Sequence, residues 1–266
     1  MSFNSIIRRV RVANGFKLGT MTVAVAAAVA CSTTEAPGPL EPTGPTGRVR
    51  LVNLITDATR GRVNASLEGL VFTVDLQYAQ VAPANLPAPA TGSAYAPVYV
   101  GNRAFVLKRT ADTTVTVASL NFSIADGQDR TVYAVGGAGG SAVTGFLTTD
   151  NNPAAAATET RLRVVNMSPT AGAVDVFVTA VGADLALATP RGSGLAYQGA
   201  TAYFTVAPGA YQVRAVRAGT AAANREAGVL INLASATFAG GTGRTIVLAD
   251  ASTGGAPLRT FVAVDR

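Results

Sequence analysis

The segment Arg48-Val49-Arg50-Leu51-Val52-Asn53 recurs 113 residues later as Arg161-Leu162-Arg163-Val164-Val165-Asn166. Two further matches keep nearly the same spacing. Arg130-Thr131-Val132 corresponds to Arg244-Thr245-Ile246, and residues 146–150 correspond to residues 261–265. Matches at an almost constant offset indicate an internal repeat, whose unit of about 105 residues is a normal domain size. The sequence therefore predicts two domains, 48–150 (a diverged copy) and 161–266, joined by a linker at 151–160.

Hydrophobic periodicity predicts the fold class. Val174, Val176 and Val178 alternate with other residues, as do Val115 and Val117, and a period of two is typical of half-buried strands. Turn-forming residues at 126–129, 207–210 and 240–243 predict hairpin turns. No amphipathic helix is predicted after residue 31. We therefore expect an all-β protein with two tandem Ig-like antiparallel β-sandwich domains.

The N-terminal segment has the order of a secretory signal. Arg8, Arg9, Arg11 and Lys17 precede an apolar run, 18–30, which leads into small residues before Cys31. A helix of that run is about 20 Å long, too short for a hydrocarbon core of roughly 30 Å. We expect a signal peptide at 1–30, with a helical apolar part, that is cleaved from the mature chain.

Two processing routes remain open for this signal. Ala28-Val29-Ala30 fits ordinary cleavage, which would release a soluble protein. The same residues followed by Cys31 resemble a bacterial lipobox, although Ala28 stands where leucine is usual. Cys31 is the only cysteine in the chain, so it cannot form an internal disulfide. We expect lipid attachment at Cys31, which would make the membrane a partner.

A stalk and a location follow from this expectation. Residues 31–47 hold the lipid-anchor cysteine and a Pro- and Gly-rich linker, predicted to be disordered, that reaches up to about 50 Å. The expected location is exported, on the periplasmic or outer face of the cell envelope, and the outer membrane if the host is Gram-negative. The alternative is a secreted soluble protein.

Charge argues against a nucleic-acid partner. The formal charge of +6 falls to +2 once the four basic residues of the signal are removed. The remaining basic residues are spread along the chain, whereas nucleic-acid surfaces carry a clustered patch. The nearest approach to a basic motif is the four arginines of the repeated segment. We expect them at exposed positions of two equivalent strands: Arg48, Arg50, Arg161 and Arg163.

Candidate chemistry is sparse. The chain has no histidine, which removes the commonest general base and metal ligand. No free thiol is expected once Cys31 is acylated. Asp126 and Asp129 could act as acid and base or bind calcium, but they flank a predicted turn, where aspartate is favoured. The glycine-rich segment 137–142 precedes a predicted strand, so we interpret it as a hairpin loop. We expect no enzyme activity, catalytic residue, metal or cofactor.

Four residues are candidates for binding. Asp175 and its apparent counterpart Asp75 lie within predicted strands, where aspartate is disfavoured, and each could instead cap a loop or face solvent. Among the tyrosines, Tyr197 and Tyr203 could stack on sugars or anchor a protein, although tyrosines of sandwich domains are more often half-buried.

The second unit resembles a known family. Residues 162–169 and 173–178, followed by Leu195-Ala196-Tyr197, residues 206–214 and Thr245-Ile246-Val247, are similar to the bacterial domain of unknown function 4397 family. The resemblance is clearest in residues 161–265. It implies exported, often repeated Ig-like domains on bacterial envelopes, without an established activity.

These observations favour a non-enzymatic cell-envelope lipoprotein that acts as a binding or scaffolding module. Its partners would be the membrane and an envelope glycan or another envelope protein. One alternative is a soluble secreted adhesin-like binding protein. Another is a glycan hydrolase that depends on carboxylates.

Overall fold

The computed structural model describes residues 44–83, 95–150 and 153–265. In these ranges the regular secondary structure is almost entirely β-strand, and the predicted all-β sandwich architecture is confirmed. None of the helical turns in these ranges has the length and apolar character needed to cross a membrane. The expected signal at 1–30, Cys31 and residues 32–43 lie outside the described residues.

The first half of the chain folds into two sheets. One contains β1, β4, β5, β8 and β9, and the other has the order β3-β2-β6-β7. A 3-10 turn, Ala138–Gly140, follows β8. The strands are β1 (Thr46–Ile55), β2 (Val63–Leu67), β3 (Leu70–Leu76), β4 (Val81–Ala82), β5 (Ala96–Tyr99), β6 (Gly101–Arg109), β7 (Asp112–Ile124), β8 (Asp129–Gly136) and β9 (Val143–Asp150).

The second half repeats this arrangement. One sheet contains β10, β13, β14, β17 and β18, and the other has the order β12-β11-β15-β16. A 3-10 turn, Ala222–Asn224, precedes β16. The strands are β10 (Thr160–Met167), β11 (Val174–Ala180), β12 (Gly192–Leu195), β13 (Gly199–Ala200), β14 (Phe204–Val206), β15 (Gly209–Arg217), β16 (Val229–Phe238), β17 (Thr242–Ala249) and β18 (Arg259–Val264).

The repeated segments occupy equivalent strands. Arg48 to Asn53 lies in β1 and Arg161 to Asn166 in β10. Each pairs in parallel with the strand that carries the second repeated motif, β1 with β8 and β10 with β17. The remaining pairs are antiparallel. The repeat therefore marks the central strand pair of one sheet in each half.

Each half has its own apolar core between its two sheets. Val49 and Leu51 of β1 join the core of the first half, and Leu162 and Val164 of β10 join that of the second. The opposite face of these strands is also buried. Because both faces are covered, polar residues of these strands, such as Arg50 and Asn53, are buried together with the apolar ones.

That opposite face forms a third apolar cluster, which joins the two halves. Its members come from β1 and β8 of the first half and from β10 and β17 of the second. They are Val52, Leu54, Tyr133, Val135, Val165, Met167, Val247 and Ala249. The described residues of the two halves form one compact unit. The predicted boundaries at 48–150, 151–160 and 161–266 remain a prediction about independent folding.

The three predicted hairpin turns are turns, but they do not form hairpins. Segment 126–129 joins β7 to β8, 207–210 joins β14 to β15, and 240–243 joins β16 to β17. Each connects the two sheets of one half. Turn residues show where the chain reverses but not which strand it pairs with next. At Gly240 a Cβ would lie 1.9 Å from the Ala157 oxygen, so only glycine fits there.

Candidate functional site

An arginine of the first half is buried against the end of the second. The Arg50 side chain has no exposed surface. Its Nε donates to Thr131 Oγ1 at 2.7 Å, within its own half. Its Nη1 and Nη2 donate to the Val264 carbonyl and to Asp265 Oδ1, at 2.7 and 2.6 Å. The guanidinium also lies 4.6 Å from the centre of the Tyr95 ring. Both hydrogen bonding and stacking therefore fix this cation.

Arg163, the repeat counterpart of Arg50, makes the reciprocal contacts. Its Nε and Nη2 donate to Thr245 Oγ1 at 3.3 and 3.1 Å. Its Nη2 lies 2.6 Å from Asp150 Oδ1 in the first half, and its Nη1 donates to the Thr149 carbonyl at 3.3 Å. Its guanidinium lies 4.7 Å from the Tyr203 ring centre. Each half therefore supplies one arginine to the carboxylate of the other.

The two carboxylates are held by equivalent partners of their own half. Asp150 accepts from the hydroxyls of Tyr95, Thr131 and Thr148, and Asp265 accepts from Tyr203 at 2.9 Å and from Thr245. Burial alone would raise the pKa of Asp150. The charges of Arg163 and Arg50, together with the hydrogen bonds from Thr131 and Tyr95, hold that pKa below its ordinary value.

This network corrects the expectation that all four repeated arginines are exposed. Arg50 is fully buried and Arg163 is 3% exposed, whereas the Arg48 side chain is 34% exposed and Arg161 is half-buried. Periodicity shows which side chains point away from the core of their own sandwich. It does not show that a second sandwich covers them.

A cleft opens beside the network, where the two halves meet. Its volume is about 510 Å3, and it is lined by residues 146–149 of β9, by Arg161 and Arg163, and by residues 200–203. No carboxylate is among these lining residues. Two other clefts, of about 710 and 440 Å3, contain one carboxylate each, Glu68 and Asp57. None of the three therefore offers the carboxylate pair that a glycan hydrolase would need.

The candidate tyrosines have different surroundings. Tyr203 lies in the junction cleft and binds Asp265. Tyr197 is half-buried, and burial raises its pKa. Its structural counterpart is Tyr78, because Ala79 and Gln198 donate to the equivalent carbonyls of Asn53 and Asn166. Of the candidate residues, only Tyr203 is in the cleft.

Asp175 closes loops in the second half. It is 8% exposed. Its carboxylate accepts from the backbone N–H of Gly194 at 2.8 Å and of Gly219 at 3.0 Å. These bonds tie β12 and the loop after β15 to β11. This is the capping role that the sequence left open for Asp175.

The sequence suggested that Asp75 is the counterpart of Asp175, but the structure shows that it is not. In the strand register, Asn64 occupies the position of Asp175. Asn64 Oδ1 accepts from the N–H of Asp75, just as Asp175 accepts from Gly194. Asp75 therefore corresponds to Gly194, and both have positive φ, 55° and 61°. The two similar Val-Asp segments lie in strands that are not equivalent, β3 and β11, because β11 corresponds to β2 in the strand pairing. The Asp75 carboxylate pairs with Arg62.

The other predicted sites are structural where they are described. Asp126 accepts from the Thr46 N–H at 3.0 Å, and Asp129 pairs with Arg48 at 2.6 Å. Among residues 44–83, 95–150 and 153–265, no group of three His, Cys, Asp or Glu side chains is placed to hold a metal. The glycine-rich segment 137–142 joins the antiparallel pair β8 and β9, as predicted for a hairpin loop. Cys31 lies outside the described residues.

Comparison with solved structures finds weak likenesses. A structure described as alpha-glucan recognition by family 41 carbohydrate-binding modules from streptococcal virulence factors has a TM-score of 0.25 and 10% identity, covering 82% of this chain and 97% of that chain. One described as alpha-glucan binding by a streptococcal virulence factor has a TM-score of 0.25 and 8% identity, over 78% and 94%.

A leucine-rich repeat protein from Bacteroides thetaiotaomicron has a TM-score of 0.16 and 11% identity, over 77% of this chain and 25% of that chain. TM-scores this low carry no argument about fold or ligand. No curated protein matches the chain.

The family comparison is more informative. A family described as a domain of unknown function, DUF4397, matches residues 47–177. This stretch begins in β1 and ends within β11, so it covers the half in which the sequence resemblance is weaker. The repeated segments of β1 and β10 both lie within it. The predicted family is confirmed over this stretch, and residues 47–177 belong to the DUF4397 family.

Proposed function

We propose that this protein is a non-enzymatic, exported lipoprotein of the cell envelope that acts as a binding or scaffolding module. The observation that carries the proposal is that the buried charged residues pair with one another across the junction between the halves. The residues that the fold gathers most tightly are Arg50, Arg163, Asp150 and Asp265, and each serves the junction between the halves. A scaffold needs that rigidity, whereas a catalytic site would leave such groups open to a substrate.

The short segment between Cys31 and the first strand supports an anchored role. Strand β1 begins at Thr46, so few residues separate it from Cys31. Fourteen intervening residues would span about 43 Å in an extended polyproline conformation. An anchored Cys31 would therefore hold the two sandwiches close to the membrane surface. Two or more acyl chains at one cysteine would make that anchoring stable.

Metabolic labelling tests the anchor. Cells that express the full chain are fed a labelled fatty acid, and the wild type is compared with Cys31→Ala, with Ser32→Ala as the matched control. We expect label on the wild type and on the control but not on Cys31→Ala. Absence of label from the wild type, together with release of the protein into the medium, would support the soluble adhesin-like alternative.

Binding and hydrolysis are separated by a second experiment. The detergent-purified full chain is incubated with cell-wall glycans, and both retention and product release are measured. A binding module is retained without turnover, and a purely structural protein is not retained. The hydrolase alternative requires turnover that is lost in Glu68→Gln or Asp57→Asn, the carboxylates of the two remaining clefts.

A further inference from the structure

The two halves differ in the charged residues beside their junction. Arg48 of β1 and Arg161 of β10 are repeat counterparts. In the strand register, Arg48 lies opposite Asp129, whereas Arg161 lies opposite Gly243. The second half therefore has no side chain where the first half has a carboxylate.

Arg161 forms no ion pair with any described residue, because Gly243 stands opposite it. Arg48 donates to both oxygens of Asp129, at 2.7 and 2.6 Å. The Arg161 guanidinium lies 5.5 Å from the centre of the Tyr203 ring, and it donates no side-chain hydrogen bond within the described part of the chain. The Arg161 side chain is half-buried and lines the junction cleft. A guanidinium in such a position favours an added anion.

The charge around the cleft also favours an added anion. Asp150 and Asp265 balance Arg50 and Arg163, so Arg161 is the surplus charge at the cleft. Because the lining contains no carboxylate, nothing in it competes for this cation. The missing group is a carboxylate by comparison with Asp129, and a carboxylate matches the fork of a guanidinium in two parallel hydrogen bonds.

Other groups of the cleft suit a hydroxyl-rich ligand. The exposed Thr149 hydroxyl and Thr201 line the cleft beside the Tyr203 ring. Thr201 Oγ1 accepts from the Val164 N–H, so its hydrogen remains available to a ligand. Hydroxyls and an aromatic ring bind the polar edges and apolar faces of a sugar ring. A volume of about 510 Å3 is within the range of small-ligand sites.

We infer that the junction cleft binds an acidic saccharide, whose carboxylate pairs with Arg161 in the place that Asp129 occupies beside Arg48. This inference rests on the proposed binding function and names its site and ligand class. The asymmetry confines the site to one side of the junction, because Arg48 already has its carboxylate.

Calorimetric titration of the full chain tests this site. The probe is trigalacturonate, and its methyl ester is the uncharged control. We expect the acid to bind and the ester to bind at least tenfold more weakly. Arg161→Gln should weaken binding of the acid by roughly tenfold to a hundredfold, the effect of one charged hydrogen-bonded contact. Arg48→Gln, the matched change in the first half, should leave the affinity unchanged.

Gly243→Asp provides an independent variant that keeps Arg161. It restores the carboxylate that β17 lacks, and Gly243 is not among the glycines with positive φ. We expect this variant to melt like the wild type and to lose acid binding. Equal affinity for acid and ester, or unchanged affinity in both variants, would overturn the inference. So would binding of a peptide with a free C-terminal carboxylate in preference to trigalacturonate. Fatty-acid labelling is unaffected by these results, so failure of this site is distinguishable from failure of the proposed function.

Discussion

Nη2 of Arg50 lies 2.6 Å from Oδ1 of Asp265, although 215 residues separate the two along the chain. Neither side chain is exposed to solvent. With its reciprocal pair, Arg163 and Asp150, this contact joins the start of each half to the end of the other. The junction is therefore formed by the repeated sequence itself, and the two copies fit each other because they carry the same residues.

The first prediction concerns the energy of this buried pair. Arg50→Met removes the cation and leaves Asp265 buried without it, which should lower the free energy of unfolding by about 3–5 kcal/mol. Chemical denaturation monitored by circular dichroism measures the change. Arg62→Met is the matched control, because Arg62 and Asp75 form a salt bridge at an exposed site, and little change is expected there. Equal effects of the two substitutions would contradict the role given to Arg50.

The second prediction concerns acid. The folded-state pKa of Asp150 is below the ordinary value of 3.8. A depressed pKa contributes stability that is fully present above the unfolded-state pKa and is lost as pH falls through the folded-state pKa. The melting temperature of the wild type should therefore exceed that of Asp150→Asn by a constant amount from pH 7 to about pH 5. The difference should shrink below pH 3.8. A difference that stays constant down to pH 2 would rule out the proposed charge effect.

The third prediction compares two tyrosines of the apolar cluster between the halves. Tyr78 donates its hydroxyl to the Asp250 carbonyl of the other half, whereas the buried Tyr133 hydroxyl has no hydrogen-bond partner among the described residues. Tyr78→Phe should cost about 1 kcal/mol of stability. Tyr133→Phe should be neutral or stabilising, because it removes a buried polar atom that is unpaired. Thermal unfolding of both variants measures this, and a larger loss for Tyr133→Phe would show that its hydroxyl has a partner.

The fourth prediction concerns Asp175 as a loop cap. Asp175→Ala leaves the N–H groups of Gly194 and Gly219 without their acceptor. We expect a loss of about 1–3 kcal/mol in the free energy of unfolding, since buried donors left unpaired carry a desolvation penalty. Asp175→Asn should cost less, because its amide oxygen can still accept one bond. Retention on cell-wall glycans should not change in either variant, and lost retention with normal stability would indicate a binding residue instead.

Sequence patterns predicted the fold better than its assembly. The alternation at Val174, Val176 and Val178 predicted strand β11, and the repeat predicted the equivalence of β1 and β10. Local periodicity distinguishes the two faces of a strand within its own sheet. It contains no information about a surface that folds over it from 100 residues away, which is why Arg50 and Arg163 were expected in solvent.

The residues of the junction did carry a signal in the sequence. Residues 146–150 and 261–265 were recognised as a repeated segment, and both end in aspartate. Because the chain has few charged residues, a repeated aspartate could have been predicted to pair with a repeated arginine. The loss of Asp129 in the second copy, where Gly243 stands, could be recognised only after the strand register was known.

The last prediction concerns the segment that connects the halves. Pro153, Ala154 and Ala156 are exposed, so a protease should cut the folded chain within 151–160. If the two halves were independent, the fragments would separate. Here each fragment would expose its share of the apolar cluster, including Val52 and Val247, which are both fully buried. We therefore expect the nicked protein to elute as one particle on size exclusion under native conditions.

The same nicked protein tests the buried pairs as the cause of this association. The fragments should separate when size exclusion is run on Arg50→Met at moderate denaturant, at a concentration that leaves the nicked wild type intact. Removing one partner of a buried ion pair leaves the other charge without compensation. In the intact chain the covalent connection would keep the halves together even when their association is weakened, and the nick removes that connection. Nicked wild-type fragments that separate without denaturant would instead support two independent domains at 48–150 and 161–266, with the apolar cluster too weak to hold them together.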